Sequence, residues 1–166
     1  SFSDYIIHIA FSPSGGLGDY IISAKVLEEL QDVCECSIDV FCEKEAFGQA
    51  IYGSRKNVCV KPWRDFEKSR NSYDLALLVE HFVHIKNYNS ARLSALSPPL
   101  YRKVGYILKN WDRLYVDIPK QCWRERIQFE RCRALGLDRW TELRMGEAFA
   151  VADKKVRIPM KPAYRE

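Results

Sequence analysis

The stretch FSPSGGLGDYIISAKVLEEL, residues 11–30, constrains the fold more than any other. The apolar run YIIHIAF at 5–11 leads into it, and Gly15, Gly16 and Gly18 fall within four residues. Beyond the glycines Ile22, Val26 and Leu30 recur every four positions with Leu27 beside them, which puts one apolar stripe on a helix. An almost continuous apolar run of this length reads as a strand buried on both faces of a parallel sheet. Strand, glycine turn and helix together predict a βα unit whose backbone amides let a polar ligand come close.

The same alternation continues along the chain. CSIDVFCE at 36–43 predicts a second strand, 44–52 a short helix closed by Gly53, and NVCVKP at 57–62 a third strand stopped by Pro62. YDLALLV at 73–79 predicts a fourth buried strand, and 89–97 a short helix ended by Pro98 and Pro99. YRKVGYI at 101–107 reads as a fifth strand, and a long helix over 120–135 stops at Gly136. The expected architecture is α/β, a doubly wound Rossmann-like parallel sheet, with ligands gathering at the carboxyl ends of its strands. Residues 1–152 read as one domain, and the basic stretch 153–166, with Pro159 and Pro162, as a linker toward a further domain.

Composition bounds the function. With 166 residues, 47% of them hydrophobic, the chain holds a core of ordinary size. A net charge of +4 is too small to announce a nucleic-acid binder, so no nucleic-acid partner is expected. No apolar run approaches the roughly 20 residues that cross a bilayer. The six cysteines are not needed as staples in a chain this long, which points to reduced thiols and a cytoplasmic setting. Counted from Gly16, the last glycine of a G-x-G-x-x-G fingerprint would sit where the chain has Ile21, and no Gly-Lys-Ser/Thr follows, which excludes a P-loop.

GGLGDYIISAKVLEEL resembles the first βα turn of GT-B glycosyltransferases, and most of all glycosyltransferase family 9, the heptosyltransferases of lipopolysaccharide assembly. YDLALLV at 73–79 is similar to that family's Tyr-Asp-Leu strand, RKVGY at 102–106 to its Arg-x-Ile/Val-Gly-Tyr/Phe strand, and ERCRALGL at 130–137 to its helix ending in Leu-Gly. The ordered set spans 5–137. The chain departs from the family at Lys25, where Pro is common, and at Leu78, where an Asp often stands. Glycogen and starch synthases share Gly-Gly-Leu-Gly-Asp but place a phosphate-binding Lys two residues before the first Gly, where this chain has Pro13.

The resemblance implies the N-terminal, acceptor-side half of a GT-B enzyme, moving a heptose or hexose from a nucleotide sugar to a lipopolysaccharide or similar lipid-linked glycan. The transfer would be inverting and metal-independent, with no cofactor, and the donor would bind a C-terminal domain not in this chain. Asp19 then corresponds to the general base, because an acceptor hydroxyl attacks well only when a carboxylate takes its proton. Ser14, Gly15, Gly16, Gly18, Glu80 and His81 are the expected substrate-binding residues. The residues alone leave other readings open: Asp19 as a helix cap, the chain as a noncatalytic α/β binding module, or a nucleotide-cofactor Rossmann domain with Glu43 as ribose acceptor.

Further polar residues have two readings each. His81 and His84 would face the same way on a helical turn, but no third ligand stands at useful spacing, so no metal is expected. Lys86 and Arg92 fit either acceptor phosphates or a solvated surface. Cys34 and Cys36 read as packing residues. The 120–135 helix, with Arg124, Arg126, Arg131 and Arg133, is either an amphipathic cover or a peripheral contact with the anionic cytoplasmic leaflet.

Overall fold

The computed structural model describes residues 5–80, 83–116 and position 158. Strand β1 (Ile7–Pro13) runs into helix α1 (Leu17–Val33), then β2 (Cys36–Cys42), α2 (Glu45–Tyr52) and β3 (Val58–Pro62) follow. Short helical turns at Trp63–Asp65, Phe66–Ser69 (α3) and Arg70–Ser72 lead to β4 (Leu75–Val79). The chain turns back through β5 (Val83–Tyr88) and ends its described part in α4 (Ser90–Leu96) and α5 (Pro98–Val116). The five strands lie in the order β3-β2-β1-β4-β5. The first four are parallel, and β5 runs antiparallel to β4.

Side-chain alternation explains why the sheet is covered unequally. Ile7, Ile9 and Phe11 of β1, Ile38 and Val40 of β2, and Leu75, Leu77 and Val79 of β4 all point to one face. There they meet Ala24, Leu27 and Leu30 of α1, Ile51 and Tyr52 of α2, and Leu100, Val104 and Ile107 of α5. Each large side chain so buried contributes about 1.5–3 kcal/mol. The opposite face carries Ala10, Phe41 and Ala76, covered by Phe66 of α3 with Tyr73 at its margin. The two β1–β2–β3 crossovers therefore lie on one face and the return to β4 on the other. The chain has a Rossmann-like α/β fold, with the reversal in strand order falling between β1 and β4.

Two sequence expectations need correction. Residues 101–107 are not a strand but the first half of α5. Pro98 and Pro99 do not end a helix there. They open one, because the donors they lack would have been orphans of the first turn anyway, and the Ser97 hydroxyl takes the Leu100 N–H at 3.3 Å. The apolar side chains at 100, 104 and 107 then fall on a single buried stripe. The second correction concerns His84, expected on a helical turn and found on β5, where it pairs with Leu78 of β4. The 120–135 helix and the 153–166 stretch lie outside the described residues.

The amino end of the sheet is stitched by Asp74. Its carboxylate accepts the His8 N–H at 2.9 Å and the Arg92 Nε at 2.8 Å, while Arg92 also donates to the Ile6 carbonyl at 3.1 Å. Arg92 is therefore a partly exposed ion-pair partner at the far end of the strands from the glycine turn. Asp74 is buried and Arg92 is about a third exposed, so water screens part of the pair. Asp74→Ala is expected to cost about 2–3 kcal/mol, measured as a lower urea midpoint, chiefly because the His8 N–H and the guanidinium lose their acceptor.

Candidate functional site

The carboxyl ends of β1 and β4 meet at the point where strand order reverses, which is where open α/β sheets hold their ligands. Pro13 pairs with Val79, and the Ser14 N–H donates to the Val79 carbonyl at 3.1 Å, so the glycine turn starts pinned to β4. Gly15 then takes a φ of +97°, a backbone region that side chains other than glycine rarely adopt. Gly16 is the N-cap of α1. Asp19 therefore sits three residues into the helix rather than at its cap. Its Oδ2 reaches back to accept the Gly16 N–H at 2.8 Å. That is the returning half of a capping box, in which glycine offers no reciprocal side chain.

Only one of the three glycines is demanded by the fold. A Cβ on Gly15 would lie 2.2 Å from Asp19 Oδ2, whereas one on Gly16 would come no closer than 3.9 Å to that atom, and one on Gly18 would meet nothing within 4 Å. Gly18 is exposed, and Leu17 beside it is 47% exposed. Gly18 thus faces the open side of the turn.

Lys44, which the sequence reading treated only as the start of a helix, belongs to the rim. It is the N-cap of α2, and its ammonium donates to the Gly15 carbonyl at 2.8 Å. Its backbone N–H donates to the Tyr20 hydroxyl at 3.2 Å, and the Tyr52 hydroxyl donates to the Tyr20 carbonyl. The rings of Tyr20 and Phe47 meet edge to face at 5.9 Å, and those of Phe11 and Tyr52 at 6.0 Å. Burial raises the Tyr20 and Tyr52 phenols above their ordinary range, so both stay protonated and available as donors. The signal for Lys44 was its place two residues past the end of β2, on the rim where ligands gather. Lys44 thus reaches the glycine turn from the loop that follows the neighbouring strand β2.

Glu80 follows β4 on the same rim. Its carboxylate stands 3.3 Å from His84 Nε2, with Glu80 46% exposed and His84 15%. The structure thus brings Ser14, Gly15, Gly16, Gly18, Asp19 and Glu80 to one edge, adds Lys44 and His84, and leaves His81 outside the described residues. Glu43 is exposed at the end of β2. Lys25 is buried on α1, well inside the fold from this edge.

Among the described cysteines, Cys34 and Cys36 lie at the amino end of β2, away from this edge, whereas Cys42 ends β2 beneath Lys44. The Cys34 thiol donates to the Leu30 carbonyl at 3.4 Å; the neighbouring Cys36 lowers the Cys34 pKa, while Cys34 and burial raise that of Cys36. Burial pushes Cys42 up to about 12, so it remains a protonated packing residue. Among the described residues no three His, Cys, Asp or Glu side chains are grouped to hold a metal ion, and no helix is long and apolar enough to cross a membrane. Compared with protein-family models, curated proteins and solved structures, the chain finds no match in any of the three.

Proposed function

We propose that this chain is the acceptor-side half of a GT-B glycosyltransferase resembling the lipopolysaccharide heptosyltransferases. One observation carries the reading: a carboxylate, Asp19, stands beside a glycine turn on the ligand-gathering edge, and its Gly16 hydrogen bond fixes where it points. In the reaction an acceptor hydroxyl would lie against Gly18 and Asp19. As its oxygen attacks the anomeric carbon, the Asp19 carboxylate takes the proton and the bond to the diphosphate breaks, releasing the nucleoside diphosphate and inverting the sugar. Glu80 and Ser14 would hold the acceptor's other hydroxyls. The donor belongs to a second half, so the chain itself contributes no nucleotide pocket.

The division of labour is directly testable. Titrated with a lipopolysaccharide inner-core oligosaccharide, the chain should show amide shifts at Ser14, Gly16, Gly18 and Asp19, while calorimetry with a nucleotide sugar should show no micromolar binding. Micromolar nucleotide-sugar binding by this chain overturns the assignment of halves. A second reading, a noncatalytic binding module, is favoured by the Asp19–Gly16 bond itself, since capping alone would account for the carboxylate. Under that reading Asp19→Asn in the complete protein changes nothing.

A further inference from the structure

The carboxyl edge of the sheet extends past the glycine turn. Strand order places β3 two positions from β1, about 10 Å along that edge. Pro62 closes β3 opposite Cys42, so Trp63 leaves the sheet level with Glu43 and beside the loop that carries Lys44. Among the described residues, Leu17 and Trp63 are the exposed large apolar side chains in segments leaving the carboxyl ends of parallel strands. Leu17 belongs to the glycine turn. Trp63, 44% exposed, stands at the end of the edge strand.

A single exposed apolar side chain is ordinary on a protein surface, so its setting decides. Trp63 is displayed by a turn fixed on both sides. Pro62 enters it with φ at −68°, and the Trp63 carbonyl accepts the Phe66 N–H. Phe66, three residues on, is buried, and its ring meets that of Phe41 edge to face at 5.5 Å. The same turn therefore hides one aromatic ring and holds another out. Among the described residues no other ring lies against Trp63. The neighbours select the ligand. Lys61 is held by Asp39 at 3.2 Å and Lys68 by Asp65 at 2.8 Å, while Glu43 and Glu45 stand exposed on the adjoining loop. Such matched charges leave no cationic cluster for a nucleotide's phosphates or a nucleic-acid backbone. An aromatic face beside exposed Arg64 suits a neutral ring with C–H groups on one side and hydroxyls around its rim, which is a pyranose. The negative face of the indole takes the polarised C–H groups, and the guanidinium donates to hydroxyl oxygens.

We propose that Trp63 is a sugar-stacking residue that holds the acceptor glycan one residue back from the hydroxyl that attacks. The inference rests on the acceptor-side reading and names the glycan's second contact. A separation of about 10 Å between the β1 and β3 ends matches a disaccharide and not one ring, so the chain selects an oligosaccharide over a single sugar.

The test is a nuclear magnetic resonance titration of the nitrogen-labelled full chain with the lipopolysaccharide inner-core oligosaccharide and, separately, with its terminal monosaccharide. The Trp63 indole N–H, assigned by its loss in Trp63→Phe, should shift with the oligosaccharide and stay in place with the monosaccharide. Trp63→Ala should weaken oligosaccharide binding roughly tenfold and Trp63→Tyr by about threefold or less, with melting curves unchanged. Shifts at the Gly16 and Asp19 amides with Trp63 silent, or unchanged affinity in Trp63→Ala, overturn the inference and leave the acceptor reading standing. Shifts at Trp63 with the glycine turn silent overturn the acceptor reading and leave Trp63 a sugar contact. Absence of oligosaccharide binding overturns both. A Trp63 shift produced by uridine diphosphate at lower concentration than by the oligosaccharide makes the indole a base platform and overturns the inference.

Discussion

If the proposed transferase reading holds, Asp19→Asn in the full-length protein should lower the rate of sugar transfer by about 10²–10⁴-fold while the acceptor KM stays close to its original value. The substitution isolates proton transfer. Asn retains an oxygen that can accept the Gly16 N–H at the position where Oδ2 now takes it at 2.8 Å, so the turn and the start of α1 are preserved. What disappears is the carboxylate to which the proposal assigns the acceptor's proton. Asp19→Ala is the companion variant, because it removes base and helix anchor together and should lower thermal stability as well as turnover. Steady-state kinetics on the two variants, beside their melting curves, separates the chemical role from the structural one. Wild-type turnover in the Asn variant would reduce Asp19 to a capping residue.

Gly15→Val should destabilise the fold by about 3–5 kcal/mol. Two costs combine. A β-branched residue at a φ of +97° is strained by about 1–3 kcal/mol. Its Cβ would also overlap Asp19 Oδ2, forcing the carboxylate off the Gly16 N–H and forfeiting a charge-assisted hydrogen bond worth about 1.5–3 kcal/mol. Gly18→Ala is the control. Its Cβ meets nothing, and replacing a glycine inside the first turn should leave stability unchanged or raise it by up to about 1 kcal/mol. Urea unfolding of both variants distinguishes a glycine the backbone requires from one it does not. If Gly15→Val unfolds at the wild-type midpoint, the turn is not held as described.

Much of this was legible in the sequence because the signals were of one kind. β1 and β4 are buried over most of both faces, so their side chains are chiefly apolar; β2 alternates buried Cys36, Ile38 and Val40 with partly exposed Ser37 and Asp39; and the glycine turn between β1 and α1 is marked by composition alone. The misreading at 101–107 has an instructive cause. Tyr, Val and Ile favour strands individually, but Leu100, Val104 and Ile107 are spaced for a helix, and tertiary burial of that stripe overrode the local preference. β5 was missed because its alternation, Val83 and Ile85 against His84 and Lys86, is only two periods long and follows the chain reversal immediately. Lys44 was invisible for a different reason. Its meeting with Gly15 depends on β1 and β2 lying side by side, a pairing set by the fold and not by any spacing along the chain.

That last contact, with the aromatic layer below it, bears on moving the turn to another protein. Residues 14–19 hold their shape because Lys44 fastens the Gly15 carbonyl from α2 and because Tyr52 and Tyr20 brace the helix that follows. The loop is consequently not a portable cassette. Transplanted into another α/β scaffold it would carry its glycines and its carboxylate but not their alignment, unless the lysine and both tyrosines travelled with it.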